Sequence, residues 1–167
     1  MPYDAAPPVP ADFKEVLAHL ASGVAIVSCW DGDTPRGLLV SSITGLSVEP
    51  PRFLFCVRKE AASHDALAAS AACGVALLGA ADEDEALRFA SSSRAAERFA
   101  PDRWRLEEGP PAYRGGLATA HCRIDSIADA GSHSIFIVTA TASALTSGPP
   151  LVAWNRALRA LEPHPQP

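Results

Sequence analysis

The chain has 167 residues, a length that suits one domain. Charged residues make up 20% and hydrophobic residues 48%, enough apolar side chains for a sizeable core and too many for disorder throughout. The formal net charge of −5 argues against general nucleic-acid binding, and no run approaches the ~20 apolar residues that span a bilayer.

In chain order, residues 1–10 are rich in Pro and Ala and predict a loose arm, without the basic run and apolar stretch of a signal peptide. Residues 162–167 predict a similar tail, so the folded domain spans 11–161 and the expected location is cytoplasmic. Phe13, Val16, Leu17 and Leu20 recur at helical spacing, with Asp12 as a candidate N-cap and Gly23 as the stop. VAIVSCW (24–30), the turn DGD (31–33) and RGLLVSS (36–42) predict a hairpin. RFLFCVR (52–58) predicts a strand entered through Pro50-Pro51. SHDALAAS (63–70) predicts a short helix capped by Ser63, and CGVALLG (73–79) a buried strand. DEDEALRFA (82–90) predicts a helix whose acids form a solvated start, with a further helical turn near 94–99. Residues 101–114 predict a surface loop. LATAHCRIDSIA (117–128) and HSIFIVTATASAL (133–145) predict long strands joined at Gly131. LVAW (151–154) predicts a short strand leading into a helical turn. Strands without regular crossover helices imply a mainly β fold, an antiparallel barrel with short flanking helices.

The four cysteines, Cys29, Cys56, Cys73 and Cys122, lack paired spacing and predict small buried side chains in a reducing compartment. The histidines are not spaced as metal ligands, so no metal site is expected, and no nucleophile elbow, HExxH or phosphate loop occurs. Three stretches can carry chemistry. Ser41, Ser42, Thr44 and Ser47 lie between a strand and a double proline, where hydroxyls and free N–H groups hold a phosphate or a polyol, or simply make a turn. Lys59 precedes Ser63 at a helix start, an anion site or a plain cap. His133 follows Gly131-Ser132 at a turn mouth, where it either donates to a carboxamide or faces solvent.

Taken in order, GLLVSSITGLSVEPPRFLFCV, KEAASHDAL, VALL, a helix ending RFA and GSHSIFI resemble the flavin reductase-like family, from about Phe13 to Leu161. The resemblance implies a six-stranded antiparallel FMN-binding split β-barrel with short flanking helices, forming a homodimer with its flavin groove near the interface. It implies an NAD(P)H:flavin oxidoreductase that passes hydride from NADH or NADPH to FMN or FAD. The reduced flavin then diffuses to a partner flavin-dependent monooxygenase. On this likeness Ser41, Ser42, Thr44 and Ser47 contact the flavin, and Lys59 and Ser63 hold its phosphate. Ala76 and Leu77 fall on a flavin-contacting strand motif, Phe89 and Ala90 on the helix end beside the adenine of FAD. His133 falls on the histidine that contacts the nicotinamide and is the expected catalytic residue; Trp154 lies near an aromatic that covers that site.

The chain departs from the family pattern at Leu39 (for Thr), Ala76 (for Asn), Asp82 (for Gln), Ser132 (for Asp) and Val138 (for Gly). Leu39, Ala76 and Val138 keep open a second reading, a barrel that binds flavin or another small aromatic without reducing it. A third reading is a structural partner subunit of an oxygenase.

Overall fold

The computed structural model describes residues 9–162. In chain order it contains α1 (Phe13–Ala18), β1 (Ser22–Gly23), β2 (Ala25–Asp31), β3 (Thr34–Val40), β4 (Thr44–Ser47), β5 (Arg52–Arg58), α2 (His64–Ala69) and β6 (Ala72–Leu77). A 3-10 turn (Ala80–Asp82) leads into α3 (Glu83–Ala90), and a second (Ser92–Glu97) follows it. Then come β7 (Trp104–Arg105), β8 (Ala112–Tyr113), β9 (Ala118–Ala130), β10 (His133–Leu145), β11 (Leu151–Trp154) and β12 (Ala157–Ala160). The fold is mainly antiparallel β with short flanking helices, as the sequence predicts. Apart from positions 9, 10 and 162, the expected arm (1–10) and tail (162–167) lie outside the described residues.

The principal sheet runs β3-β2-β6-β9-β10-β5-β4, and it has seven strands rather than six. The extra one is β4, which pairs with β5 (Thr44 opposite Leu54) where the sequence suggested only a turn. β9 and β10 form a long hairpin whose register slips twice, leaving Asp125 and Thr141 unpaired in bulges. Such bulges bend a strand and increase its twist. The sheet curls until β3 approaches β5, yet among the described residues no ladder joins those two strands. Ser42 bridges the gap instead. Its hydroxyl accepts from the Cys56 N–H (2.9 Å) and donates to the Cys56 carbonyl (3.0 Å). Continuing the β4 register would set Ser42 opposite Cys56, so a side chain makes the two bonds that a backbone ladder would make. This is a barrel with a seam.

Two apolar layers flank β2. Ala25, Val27 and Cys29 face the barrel interior with Phe55, Val57, Val75, Phe136 and Val138, where the Phe55 and Phe136 rings stack at 5.3 Å. Val24 and Ile26 face a second layer of Leu78, Phe89, Trp104, Tyr113 and Leu151. Because both faces of β2 are covered, its sequence is a continuous apolar run rather than an alternation.

Several local expectations are corrected. α1 ends at Ala18, and Gly23 lies in β1; Asp12 occupies the N-cap position but its side chain makes no capping bond. Residues 101–114 are not a surface loop but contain the β7–β8 ribbon, which carries Trp104, only 1% exposed, into the second layer. The segment after β11 is a strand rather than a helical turn. Asn155 and Arg156 both take the left-handed conformation (φ 49° and 61°), which folds β12 back onto β11 as a hairpin. The acids of 82–85 are not all solvated, since Asp82 and Glu85 are 8% and 2% exposed. Asp82 accepts from Gly79 N–H, Gly116 N–H and the Tyr113 hydroxyl. Glu85 accepts from Arg88, Arg103 and the Trp104 indole. Asp82 lies just before the helix, and Glu85, three positions on, shares the inward face of α3 with Ala86 and Phe89.

Candidate functional site

The seam positions the chemistry-bearing residues. Leaving β3, the chain passes through Ser41 and Ser42 before β4 begins, so Ser41 is presented at the seam and exposed while Ser42 is tied across it. On the far side, β10 begins at His133, which pairs with Arg58 at the end of β5. The turn feeding β10 is built by Gly131 (φ 72°), and Asp129 accepts from the Gly131 N–H (2.8 Å). The Ser132 hydroxyl meets His133 Nδ1 at 2.9 Å, which fixes the ring and leaves Nε2 uncommitted among the described residues.

Two clefts share this wall. The first, about 480 Å³, has hydrocarbon sides from Leu38, Leu39, Val40, Val57, Ala61 and Phe89 and a polar rim of Ser41, Ser42, Arg58 and His133, with Cys56 and Ala90 completing it. Gly37 lets β3 pack closely against Phe89, one of the cleft's walls. A Cβ there would lie 2.9 Å from the Val27 carbonyl oxygen and 3.0 Å from the rings of Phe89 and Phe99. The second cleft, about 600 Å³, runs from Ser41, Ser42 and His133 to Lys14 and Leu17 of α1 and to Trp154, Asn155 and Arg156 of the last hairpin. The Arg159 guanidinium lies over the Trp154 ring, 5.4 Å from its centroid, and steadies that aromatic wall. Both volumes fall within the usual few hundred to about 1,000 Å³ of small-molecule sites. An amphipathic ring system with a polar edge fits the first cleft, because its sides are apolar and its hydroxyl, guanidinium and imidazole groups lie along one rim.

Of the site residues expected from sequence, Ser41, Ser42, Phe89, Ala90 and His133 come together around the first cleft. The others do not. Thr44 and Leu77 line a separate apolar cleft of about 400 Å³ with Phe53, Leu117 and Leu151. The Ser47 hydroxyl donates to the Pro50 carbonyl. Ala76 is buried in the second apolar layer. Ser63 stands at the N-cap of α2 without capping it, and its buried hydroxyl donates to the Gly37 carbonyl (3.0 Å). The Lys59 ammonium is paired with Asp129 at 2.7 Å, and that bond holds the Asp129 carboxyl below its usual range. Lys59 thus acts as a strut between the end of β5 and the turn before β10.

The departures from the family pattern separate in the same way. Leu39 lines the first cleft, whereas Ala76 and Val138 are buried in the two apolar layers and line neither of the two clefts at the seam. The reading of binding without reduction therefore rests on Leu39. A Ser134–His64–Asp65 chain (2.9 Å and 2.8 Å) has the form of a nucleophile with its base. Ser134 is buried and lines neither cleft, so the chain ties α2 to β10.

Sequence reasoning missed Leu38, Val40, Arg58 and Ala61 in the first cleft and Lys14, Asn155 and Arg156 in the second. The signal for Arg58 was its place at a strand end beside Lys59. Nothing local marks Lys14 or Arg156, which are 142 positions apart in number (156 minus 14) and meet only through the fold.

The sequence matches the family described as "Flavin reductase like domain" over residues 17–162. It is 32% identical over 160 residues to the flavin-dependent monooxygenase reductase subunit HsaB of Mycobacterium tuberculosis, covering 92% of this chain and 83% of that protein. It is 36% identical over 138 residues to the FMN reductase (NADH) RutF 2 of Methylorubrum extorquens, covering 81% and 80%. Among solved structures it is similar to the Streptomyces globisporus C-1027 NADH:FAD oxidoreductase SgcE6 in complex with NAD and FAD fragments, with a TM-score of 0.84 at 28% identity over 92% of this chain and 93% of that one. The matched span contains the seam, both sides of the first cleft and His133, and the chain belongs to the flavin reductase-like domain family.

Proposed function

We propose that this chain is an NAD(P)H-dependent flavin reductase that delivers reduced FMN or FAD to a partner flavin-dependent monooxygenase. The observation that carries this reading is the pair of clefts with a common wall of Ser41, Ser42 and His133, room for two ring systems side by side. The flavin, when bound, accepts hydride from the reduced nicotinamide and carries the reducing equivalents away. The chain's own work is to bind, orient and dry the site. Leu38, Leu39, Val57 and Phe89 exclude water from the first cleft, and Ser41 offers a hydroxyl at its rim. His133, its ring held through Nδ1 by Ser132, presents Nε2 toward a carboxamide between the two clefts. Arg58, whose guanidinium meets Glu60 at 3.1 Å, is the cation on the first rim.

The reading extends to a homodimer. Phe13 and Val16 of α1 are 44% and 54% exposed and line neither cleft, and α1 buries none of its residues among those described. A second copy of the chain covers this apolar face and brings the clefts near the interface. No described helix is long and apolar enough to cross a membrane. The four thiols, all unpaired, suit the reducing cytoplasm.

The test is purified protein with NADH and NADPH, each with FMN and FAD, followed by loss of reduced-nicotinamide absorbance. Acceleration well above the flavin-only background is expected with at least one pair, and background rates with all four sink the proposal. Sedimentation velocity checks the dimer, which a Val16→Glu variant is expected to dissociate.

A further inference from the structure

We infer that Lys14 binds the phosphate groups of the reductant dinucleotide across the second cleft. The inference deepens the reductase reading and rests on it. The cleft's charged lining residues are Lys14 and Arg156, and no carboxylate lines it, on a chain whose net charge is −5. A local cationic field on an acidic protein draws an anion to that spot. Nicotinamide dinucleotides carry such charge on the pyrophosphate, and the phosphorylated form carries more on its ribose.

The two cations are not equivalent. The Arg156 guanidinium is paired with the Glu15 carboxylate, and this hydrogen bond lowers the Glu15 pKa. Its charge is largely neutralised within the protein. The Lys14 ammonium has neither hydrogen bond nor ion pair among the described residues, although it lines the same cleft as His133. Its position is built rather than accidental. The Asn155 N–H donates to the Ala18 carbonyl (2.8 Å), and with the Arg156–Glu15 pair this fastens α1 to the last hairpin. The left-handed turn at Asn155 and Arg156 points both groups toward α1. A nicotinamide held at His133 therefore has its charged tail directed at a cation with no other described partner.

The test uses the whole chain without flavin, titrated calorimetrically with NAD+ and NADP+, for wild type, Lys14→Ala, Lys14→Glu and Lys14→Arg. Charge reversal is expected to weaken dinucleotide binding about tenfold or more, alanine by a few-fold, and arginine hardly at all. Flavin affinity is expected to stay within about twofold in all four, and the KM for NADH to follow the dissociation constants. Equal losses with NAD+ and NADP+ assign Lys14 to the pyrophosphate; a larger loss with NADP+ assigns it to the ribose phosphate. Both support the inference. Unchanged dinucleotide affinity in Lys14→Glu, or flavin affinity falling as far as dinucleotide affinity, overturns it. The reductase reading fails separately: wild type that binds NAD+ through Lys14 but turns over no flavin refutes that reading and leaves the anion site standing.

Discussion

Replacing Ser42 by alanine removes both hydrogen bonds across the seam, the one donated to the Cys56 carbonyl and the one accepted from its N–H. At a net ~0.5–1.5 kcal/mol each, the pair contributes about 1–3 kcal/mol. Cys56 is half-buried, so water recovers part of the loss and the lower part of the range, about 1–2 kcal/mol, is expected. For a chain of this size that corresponds to a fall of about 2–8 °C in Tm. Hydrogen exchange gives a sharper readout. The Cys56 amide loses its acceptor in the folded state, and its protection is expected to drop about tenfold, while the amides of Phe55 and Val57, adjacent in the same strand, change less. Ser41→Ala is the control, since the Ser41 hydroxyl makes no bond among the described residues. Cys56 exchange and Tm unchanged in Ser42→Ala would refute the claim that a side chain closes this barrel.

Three further outcomes follow from the same geometry. His133→Ala is expected to raise the KM for the nicotinamide several-fold more than the KM for the flavin in steady-state assays; equal rises contradict the placement of His133 on the reductant side. Glu85→Ala leaves the buried Trp104 indole without its acceptor and takes one carboxylate from Arg88, which keeps Asp84 and Glu97, and from Arg103, which keeps the Glu97 carbonyl; urea melts are expected to show a loss of about 2–4 kcal/mol, and a loss under about 1 kcal/mol would mean the acid is dispensable. Burial first, and then the Asp82 charge, raise the Tyr113 pKa above its ordinary value. The folded state thus favours the neutral phenol, a contribution fully present below about pH 10 and lost as pH rises past it. Melts across alkaline pH are expected to show a steeper decline for wild type than for Tyr113→Phe, and parallel declines would contradict this.

Much of the fold was legible because the strand signals are local. β5 begins and ends where its apolar run does, and the hairpin turns at 31–33 and 131 carry glycines that suit positive φ. What escaped depends on partners distant in sequence. β12 needs Arg156 in a left-handed conformation, which no turn preference announces, and Trp104 sits in a Pro/Gly-rich stretch yet is pulled inward by Glu85, Phe89 and Tyr113. Asp82 and Glu85 resemble any acidic helix start until the donors from 103, 104, 113 and 116 are in place. The site divides likewise. Ser41, Ser42, Phe89, Ala90 and His133 meet because strand ends and a helix end converge on the seam. Lys59 and Ser63 looked available to a phosphate, but Asp129, 70 positions away, and the Gly37 carbonyl already engage them.

β2 serves as a party wall, with Val27 in one apolar layer and Ile26, its neighbour in sequence, in the other. Neither layer can melt alone, because loosening one strips a face from the strand that the other needs. Shaving Ile26 to alanine therefore loosens the strand that Val27 lends to the opposite layer, the layer of the stacked Phe55 and Phe136 rings, and couples the two through one backbone.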